Sequence, residues 1–147
     1  KSLDVQVLVA IAASFGLGEA MTVTGLDDNI AGLVLSVAGD DPRVALAAVY
    51  IATALLTELV TNNAAAVLAL PLGLAVATQV GASPTPFVFT VMIAASASFL
   101  TPIGYQTNLM VYGPGGYRAT DYLRLGAPLS ITVFAVTMLF APVMWPL

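Results

Sequence analysis

Leu59-Val60-Thr61-Asn62-Asn63 joins two apolar runs, residues 41–60 and 64–80, and the fold turns on what this link is. A chain that emerges into water between membrane helices usually carries Gly-Pro turns or clustered charge, and this link has neither. Two arms of under about 20 residues, marginal for crossing a hydrocarbon core, therefore meet at a polar but uncharged tip. The pattern predicts a re-entrant hairpin whose turn stays inside the membrane, as is tolerated where protein or a water-filled cavity surrounds it. Two short spans joined by a tight external loop are the plainer alternative. Asp41-Pro42 marks the start of the first arm, an N-cap acid followed by Pro at the first helical position.

Composition requires a non-aqueous setting for such a hairpin. Of 147 residues 59% are hydrophobic and 8% charged, whereas soluble domains carry roughly 25% charged residues. No charge occurs from Leu59 through Tyr117. The net charge of -4 arises from scattered loop and helix-end acids and gives no reason to expect nucleic acid as a partner. Cysteine and histidine are both absent, which removes disulfides, the commonest metal ligands and every Ser-His or Cys-His nucleophile pair. An enzyme is therefore not expected, and no organic cofactor is implied. Lys1 stands where an initiator Met would, and an apolar run is under way by Val5, so the chain reads as a piece of a longer polypeptide.

Outward from the hairpin, residues 1–25 read as a span interrupted late by Gly16, Gly18 and Glu19. Residues 26–40 read as an interfacial helix with a stripe of Leu26, Ile30, Leu33, Val34 and Val37 and with Asp27 and Asp28 off it. The hairpin occupies 41–80. A broken helix follows over 84–113, in which Pro102 and Gly104 of Thr101-Pro102-Ile103-Gly104 interrupt an apolar run expected to last to Leu100. Gln106, Thr107 and Asn108 put polar side chains just past that break. After the loop Gly113-Pro114-Gly115-Gly116, Thr120-Asp121 is expected to cap a final span over 120–147. The fold class is thus all-α integral membrane, a polytopic helical transporter in the cell membrane with the lipid bilayer as its solvent.

Arg118 and Arg124 flank the start of the last span and by the positive-inside rule place that end in the cytoplasm, leaving the carboxyl terminus outside. Counted backwards, the hairpin enters and leaves from outside and Lys1 is inside. Tyr112, Tyr117, Tyr122 and Trp145 fit an aromatic belt.

The interruptions at 61–63 and 101–104 can reach the midplane from opposite sides and build one site. Unwound carbonyls and Asn or Thr oxygens suit a hard cation such as Na⁺, while helix amino-termini such as that at 63–66 offer N–H groups to an anion. Cation and anion as neighbours would each lower the cost of the other, which is the physical basis of symport. Glu58, the carboxylate nearest the tip, is a functional candidate at membrane depth; a partner elsewhere in the parent or a snorkelling position is the bland alternative.

Thr57-Glu58-Leu59-Val60-Thr61-Asn62-Asn63-Ala64 and Thr101-Pro102-Ile103-Gly104-Tyr105-Gln106-Thr107-Asn108 resemble the second hairpin and second broken helix of the divalent-anion/sodium symporters. The resemblance extends over essentially the whole chain. It implies two inverted repeats in the parent, of which this chain is the later part of the second, with the first repeat missing, and a homodimer of the full protein. By position, the family's Ser-Asn-Thr tip falls on Thr61, Asn62 and Asn63. Sodium ligands would be Thr57, Val60, Asn62 and Leu100, and the anion would be bordered by Thr61, Asn62, Asn63, Thr101 and Pro102. The family's Thr-Pro-Pro-Asn is Thr-Pro-Ile-Gly here, losing an amide at Gly104, which favours sulfate over a dicarboxylate. Alternatives are a sodium/proton or arsenite carrier, in which Glu58 moves protons, and a non-transporting scaffold or pore subunit, which would tolerate loss of Asn62.

Overall fold

A computed structural model describes residues 5–147, so the Lys1 end of the first expected span lies outside the described residues. Among the described residues the chain is all-helical: α1 (Val5–Thr24), α2 (Leu26–Ala38), α3 (Pro42–Thr57), α4 (Asn62–Gln79), α5 (Pro84–Ala95), α6 (Gln106–Tyr112) and α7 (Ala119–Met144).

Local chemistry sets most helix ends. Gly25, at φ 68°, supplies the left-handed residue that turns α1 into α2. Asp41 accepts from the Arg43 N–H at 2.8 Å and Pro42 occupies the first helical position, so α3 starts where the dipeptide predicts. Thr61 caps α4, and Ser83 precedes Pro84 at the start of α5. The last helix differs from expectation. It opens at Ala119, and Asp121 sits in its first turn, where its carboxylate accepts from the Arg118 N–H at 2.8 Å instead of capping with Thr120.

The core lies where α3, α4 and α5 pack together. Leu46 and Val49 of α3, Leu72 and Val76 of α4, and Phe87 and Val91 of α5 are buried there, with Ala45 and Ala69 between them. Gly73 sits at the meeting point: a methyl group on it would lie 3.2 Å from Val91 and 3.7 Å from Val49. Removing the side chain lets the backbones approach, the packing device of helix pairs that cannot rely on water exclusion. α2 covers α4, and its inward face is Asp27, Ala31, Val34, Leu35 and Ala38. Of the apolar stripe, Leu26, Leu33 and Val37 point outward, while Asp27 is turned in, where the Thr22 hydroxyl of α1 donates to it at 2.9 Å.

α7, at 26 residues, is the one described helix long and apolar enough to cross a membrane unaided. Its length of about 39 Å exceeds the roughly 30 Å of a bilayer core. α3, with 16 residues, reaches about 24 Å, and α5, with 12, about 18 Å. α7 rests on the core through Ala141 and through Phe134, whose ring meets Tyr50 edge-on at 5.1 Å. Leu125, Ile131, Leu139 and Val143 face away from the chain, a surface water would not favour. Tyrosines gather at one end of α7, where Tyr122 lies 6.1 Å from Tyr112 and from Tyr117, while Trp145 stacks on Phe89 at the other.

Candidate functional site

Both interruptions singled out in the sequence are present as breaks, and the fold joins them. α3 stops at Thr57, about three residues before the apolar run ends, with Glu58 as its C-cap. Leu59 and Val60 close the turn with their N–H groups on the Leu56 carbonyl at 3.0 Å. Across from this tip α5 ends at Ala95, five residues earlier than the sequence suggests, and residues 96–105 are unwound before α6 begins. Pro102 and Gly104 alone do not account for so early an end; the partners of the unwound segment do.

Those partners come from the hairpin tip. The buried Thr57 hydroxyl donates to the Ala95 carbonyl at 2.6 Å, and the Ser98 hydroxyl donates to the Thr57 carbonyl at 3.3 Å. Both oxygens of Glu58, which is only 7% exposed, accept backbone N–H groups, Oε1 from Leu100 and Oε2 from Thr101, each at 2.9 Å. The Thr101 hydroxyl donates to the Glu58 carbonyl at 3.3 Å and accepts from the Gly104 N–H at 3.1 Å. Backbone groups that helix would have paired are thus satisfied tertiarily, as buried peptide groups must be. The preference of the tip for segment 95–101 overrides the intrinsic helicity of Ser96 to Leu100.

Close approach completes the joint. Gly104 is buried with Ser98, Thr57 and Glu58 around it, and a Cβ there would overlap the Ser98 hydroxyl. Glycine at 104 is therefore required sterically, whatever an amide side chain would offer a ligand. Behind the break, Asn108 of α6 donates to the carbonyls of Ser98 and Thr101, both at 3.3 Å, and the Tyr122 hydroxyl donates to the Asn108 carbonyl at 2.9 Å. Gly126 of α7 lies against the Phe99 carbonyl so closely that a Cβ would overlap it.

The expected site residues divide into two groups. Thr57, Leu100 and Thr101 are drawn together by the bonds above, with Pro102 half-buried beside them. Thr61, Asn62 and Asn63 form the cap and first turn of α4, where Thr61 and Asn63 are exposed and Asn62 is half-buried. Among the described residues no hydrogen bond joins 61–63 to 100–102; Thr57 and Glu58 are the link. At the amino-terminus of α4 the N–H groups are engaged by the chain itself. Asn63 donates to the Asn62 side-chain oxygen at 2.8 Å, Ala64 to the Thr61 hydroxyl at 3.4 Å, and Ala65 to the Thr61 carbonyl at 2.9 Å.

Chemically, the joint is a set of hard oxygens on unwound or terminal backbone, with no histidine or cysteine in the chain. The Thr57 hydroxyl gives its proton to Ala95 and keeps a lone pair free to face a cation. Sequence reasoning named Thr57, Glu58 and Thr101 and placed Asn108 just past the break, but it did not single out Ser98. Only the Asn-after-break position hinted at the strut that Asn108 forms. Residues 61–63 line neither of two cavities among the described residues. One of about 670 Å³ lies between α1, α2, α4 and α5, lined by Gly18, Thr22, Asp27, Leu70, Leu74 and Met92 among others. The other, of about 280 Å³, sits between the break and α7 at Phe99, Asn108, Tyr122 and Gly126.

The described residues are all-helical, with two helix breaks hydrogen-bonded to each other and an outward apolar face on the longest helix, an arrangement that fits a membrane protein. The chain belongs to the citrate transporter (CitMHS) family, whose model matches residues 1–146. It is 47% identical over 134 residues to an uncharacterized transporter of Synechocystis, covering 90% of this chain and 22% of that one. It is 37% identical over 138 residues to sodium/sulfate cotransporter 1 of Chlamydomonas reinhardtii, covering 92% of this chain and 16% of the relative. It is 24% identical over 143 residues to a sodium-dependent dicarboxylate transporter of Staphylococcus saprophyticus, covering 95% and 28%. These relatives agree with the resemblance to divalent-anion/sodium symporters, and they are transporters rather than enzymes. The chain spans between 16% and 28% of the length of these relatives.

Proposed function

We propose that the full polypeptide is a sodium-coupled symporter of a small divalent anion, with sulfate favoured over dicarboxylates, and that this chain carries the later part of its second inverted repeat. The observation that carries the proposal is the joint itself: Thr57 and Glu58 at the end of one interrupted helix hydrogen-bond Ala95, Ser98, Leu100 and Thr101 of the other. Paired breaks of this kind place free carbonyls and helix ends side by side, which is how secondary transporters hold ions at the midplane. Sodium is held by oxygens of Thr57, Val60, Asn62 and Leu100, and the anion is bordered by Thr61, Asn62, Asn63, Thr101 and Pro102. Asn62 touches both, so each ion strengthens binding of the other.

In the membrane, α3 and α4 form a re-entrant hairpin, since α3 is too short to cross, and α5 with α6 forms the broken helix. α1 is a span, α2 lies at the interface, and α7 is the final span with its Arg118 end in the cytoplasm and its carboxyl terminus outside. The exposed face of 61–63 is completed by the first repeat, and the full protein is a homodimer. Sulfate is preferred because relatives at 37% identity are named sodium/sulfate cotransporters. A dicarboxylate is the second reading, supported by the 24% identical dicarboxylate transporter. Proton transfer through Glu58 is the weaker reading because backbone amides already occupy both of its oxygens.

Uptake of labelled sulfate and of labelled succinate by the full-length protein in proteoliposomes separates these readings. Sodium-driven sulfate uptake that succinate does not compete supports the proposal; preferred succinate uptake replaces sulfate by the dicarboxylate reading.

A further inference from the structure

We propose that Glu58 is a positioning residue of transport, a fixed strut that sets the register of the hairpin tip against the helix break and thereby sets sodium affinity. The inference rests on the sodium-coupled reading of the same site. Three features of the joint carry it. First, both carboxylate oxygens are used, and on consecutive residues: Leu100 donates to Oε1 and Thr101 to Oε2, each at 2.9 Å. One side chain therefore fixes both the distance and the rotation of the unwound segment relative to the end of α3. Second, the partners are neutral backbone N–H groups rather than a guanidinium or ammonium, so the negative charge of the carboxylate is hydrogen-bonded but not cancelled. A cation gathered by carbonyls a residue or two away feels that charge through a medium that screens it poorly. Third, the backbone on both sides is tied in as well, since the Thr101 hydroxyl reaches the Glu58 carbonyl and Ser98 reaches the Thr57 carbonyl. The strut thus holds Thr57 and Leu100 in one frame.

The same geometry assigns the break amides. With the Leu100 and Thr101 N–H groups spent on Glu58 side-chain oxygens and the Thr101 hydroxyl on the Glu58 carbonyl, none of them is available to an anion, whose donors come instead from 61–63. Glu58 thereby separates a cation side from an anion side of the joint.

The test uses the full-length protein as wild type, Glu58→Gln and Glu58→Asp. Glutamine keeps the shape but turns an NH₂ donor toward a backbone N–H, so one arm of the strut is lost and the charge with it. Aspartate keeps the charge but is a methylene short of reaching both amides. Two quantities are read: the half-saturating sodium concentration against the sulfate KM and maximal rate, and the spin-label distance distribution between Leu59→Cys and Ile103→Cys in an otherwise cysteine-free background. Those two positions are 83% and 72% exposed on either side of the joint. Glu58→Gln is expected to raise the half-saturating sodium concentration by about tenfold or more, while sulfate KM at saturating sodium moves by less than about threefold. Its distance distribution broadens, and Glu58→Asp falls between the two; should Glu58→Gln not assemble, the aspartate variant carries the comparison. Sodium half-saturation within about twofold of wild type, or an unchanged distribution, overturns the proposal. Wild-type protein without sodium-driven uptake defeats the symport reading itself, and in that case the distance distribution still decides the strut.

Discussion

The Thr57 hydroxyl donates to the Ala95 carbonyl over 2.6 Å, with both groups buried, so the last residue of α3 closes the last carbonyl of α5. Thr57→Val keeps the volume and deletes the donor, leaving a buried carbonyl unpaired at a cost of about 1–3 kcal/mol. Thermal unfolding of the purified protein should show Thr57→Val well below wild type and Thr57→Ser close to it. Equal melting of the valine variant and wild type would mean that this contact does not terminate α5.

Gly104→Ala places a methyl group on the Ser98 hydroxyl, against backbone that the strut holds still. The expected cost is about 1–3 kcal/mol, the range for overpacking a filled site. Because the obstacle is a side-chain oxygen, Ser98→Ala combined with Gly104→Ala should recover part of the loss, and a double variant no better than the single one would count against the contact. Yield and melting temperature read both.

Gly126→Ala meets a backbone carbonyl, that of Phe99, which no side-chain change relieves. α7 would have to move away from the break, disturbing the Tyr122 to Asn108 contact as well. Gly32→Ala, on the outer face of α2 with open space around it, should instead stabilise by about 0.5–1 kcal/mol, the usual gain for alanine over glycine in a helix. The pair run side by side distinguishes a packing glycine from an incidental one.

Tyr122→Phe removes one hydrogen bond, to the Asn108 carbonyl at 2.9 Å. A loss of about 0.5–1.5 kcal/mol is expected, visible as a small drop in melting temperature. A loss as large as that of Gly126→Ala would mean that Tyr122 does more than anchor α6.

Much of this was legible in the sequence because it is locally encoded. Asp41-Pro42 starts α3, Gly25 ends α1, and the turn at 58–61 falls between the apolar arms, each set by residues within a few positions. What escaped is tertiary. The end of α5 at Ala95 depends on contacts of Ala95, Ser98 and Leu100 with Thr57 and Glu58, about forty residues earlier in the chain, and no periodicity within 86–100 announces it. Asp27 was placed only off the apolar stripe, and its bond from Thr22 of the preceding helix follows from the packing of α1 on α2. At the site the residue types were legible and the partners were not: Glu58 was marked by its depth, but that it binds two amides follows only from the geometry. The ends of α4 moved by a residue or two, within the ordinary latitude of helix caps, and α7 ends at Met144, three residues before the expected end of the span.

Asn62 gives the most direct test of the central claim. Its side chain makes a single local bond, to the next N–H, at a partly exposed position, so Asn62→Ala should change stability by no more than about 0.5 kcal/mol. Labelled sulfate uptake by the full-length protein in proteoliposomes is therefore to be measured with and without an inward sodium gradient, for wild type and Asn62→Ala. The account predicts uptake driven by sodium in wild type and lost in a variant that still folds. Wild-type uptake indifferent to sodium, or full uptake retained by Asn62→Ala, would contradict it.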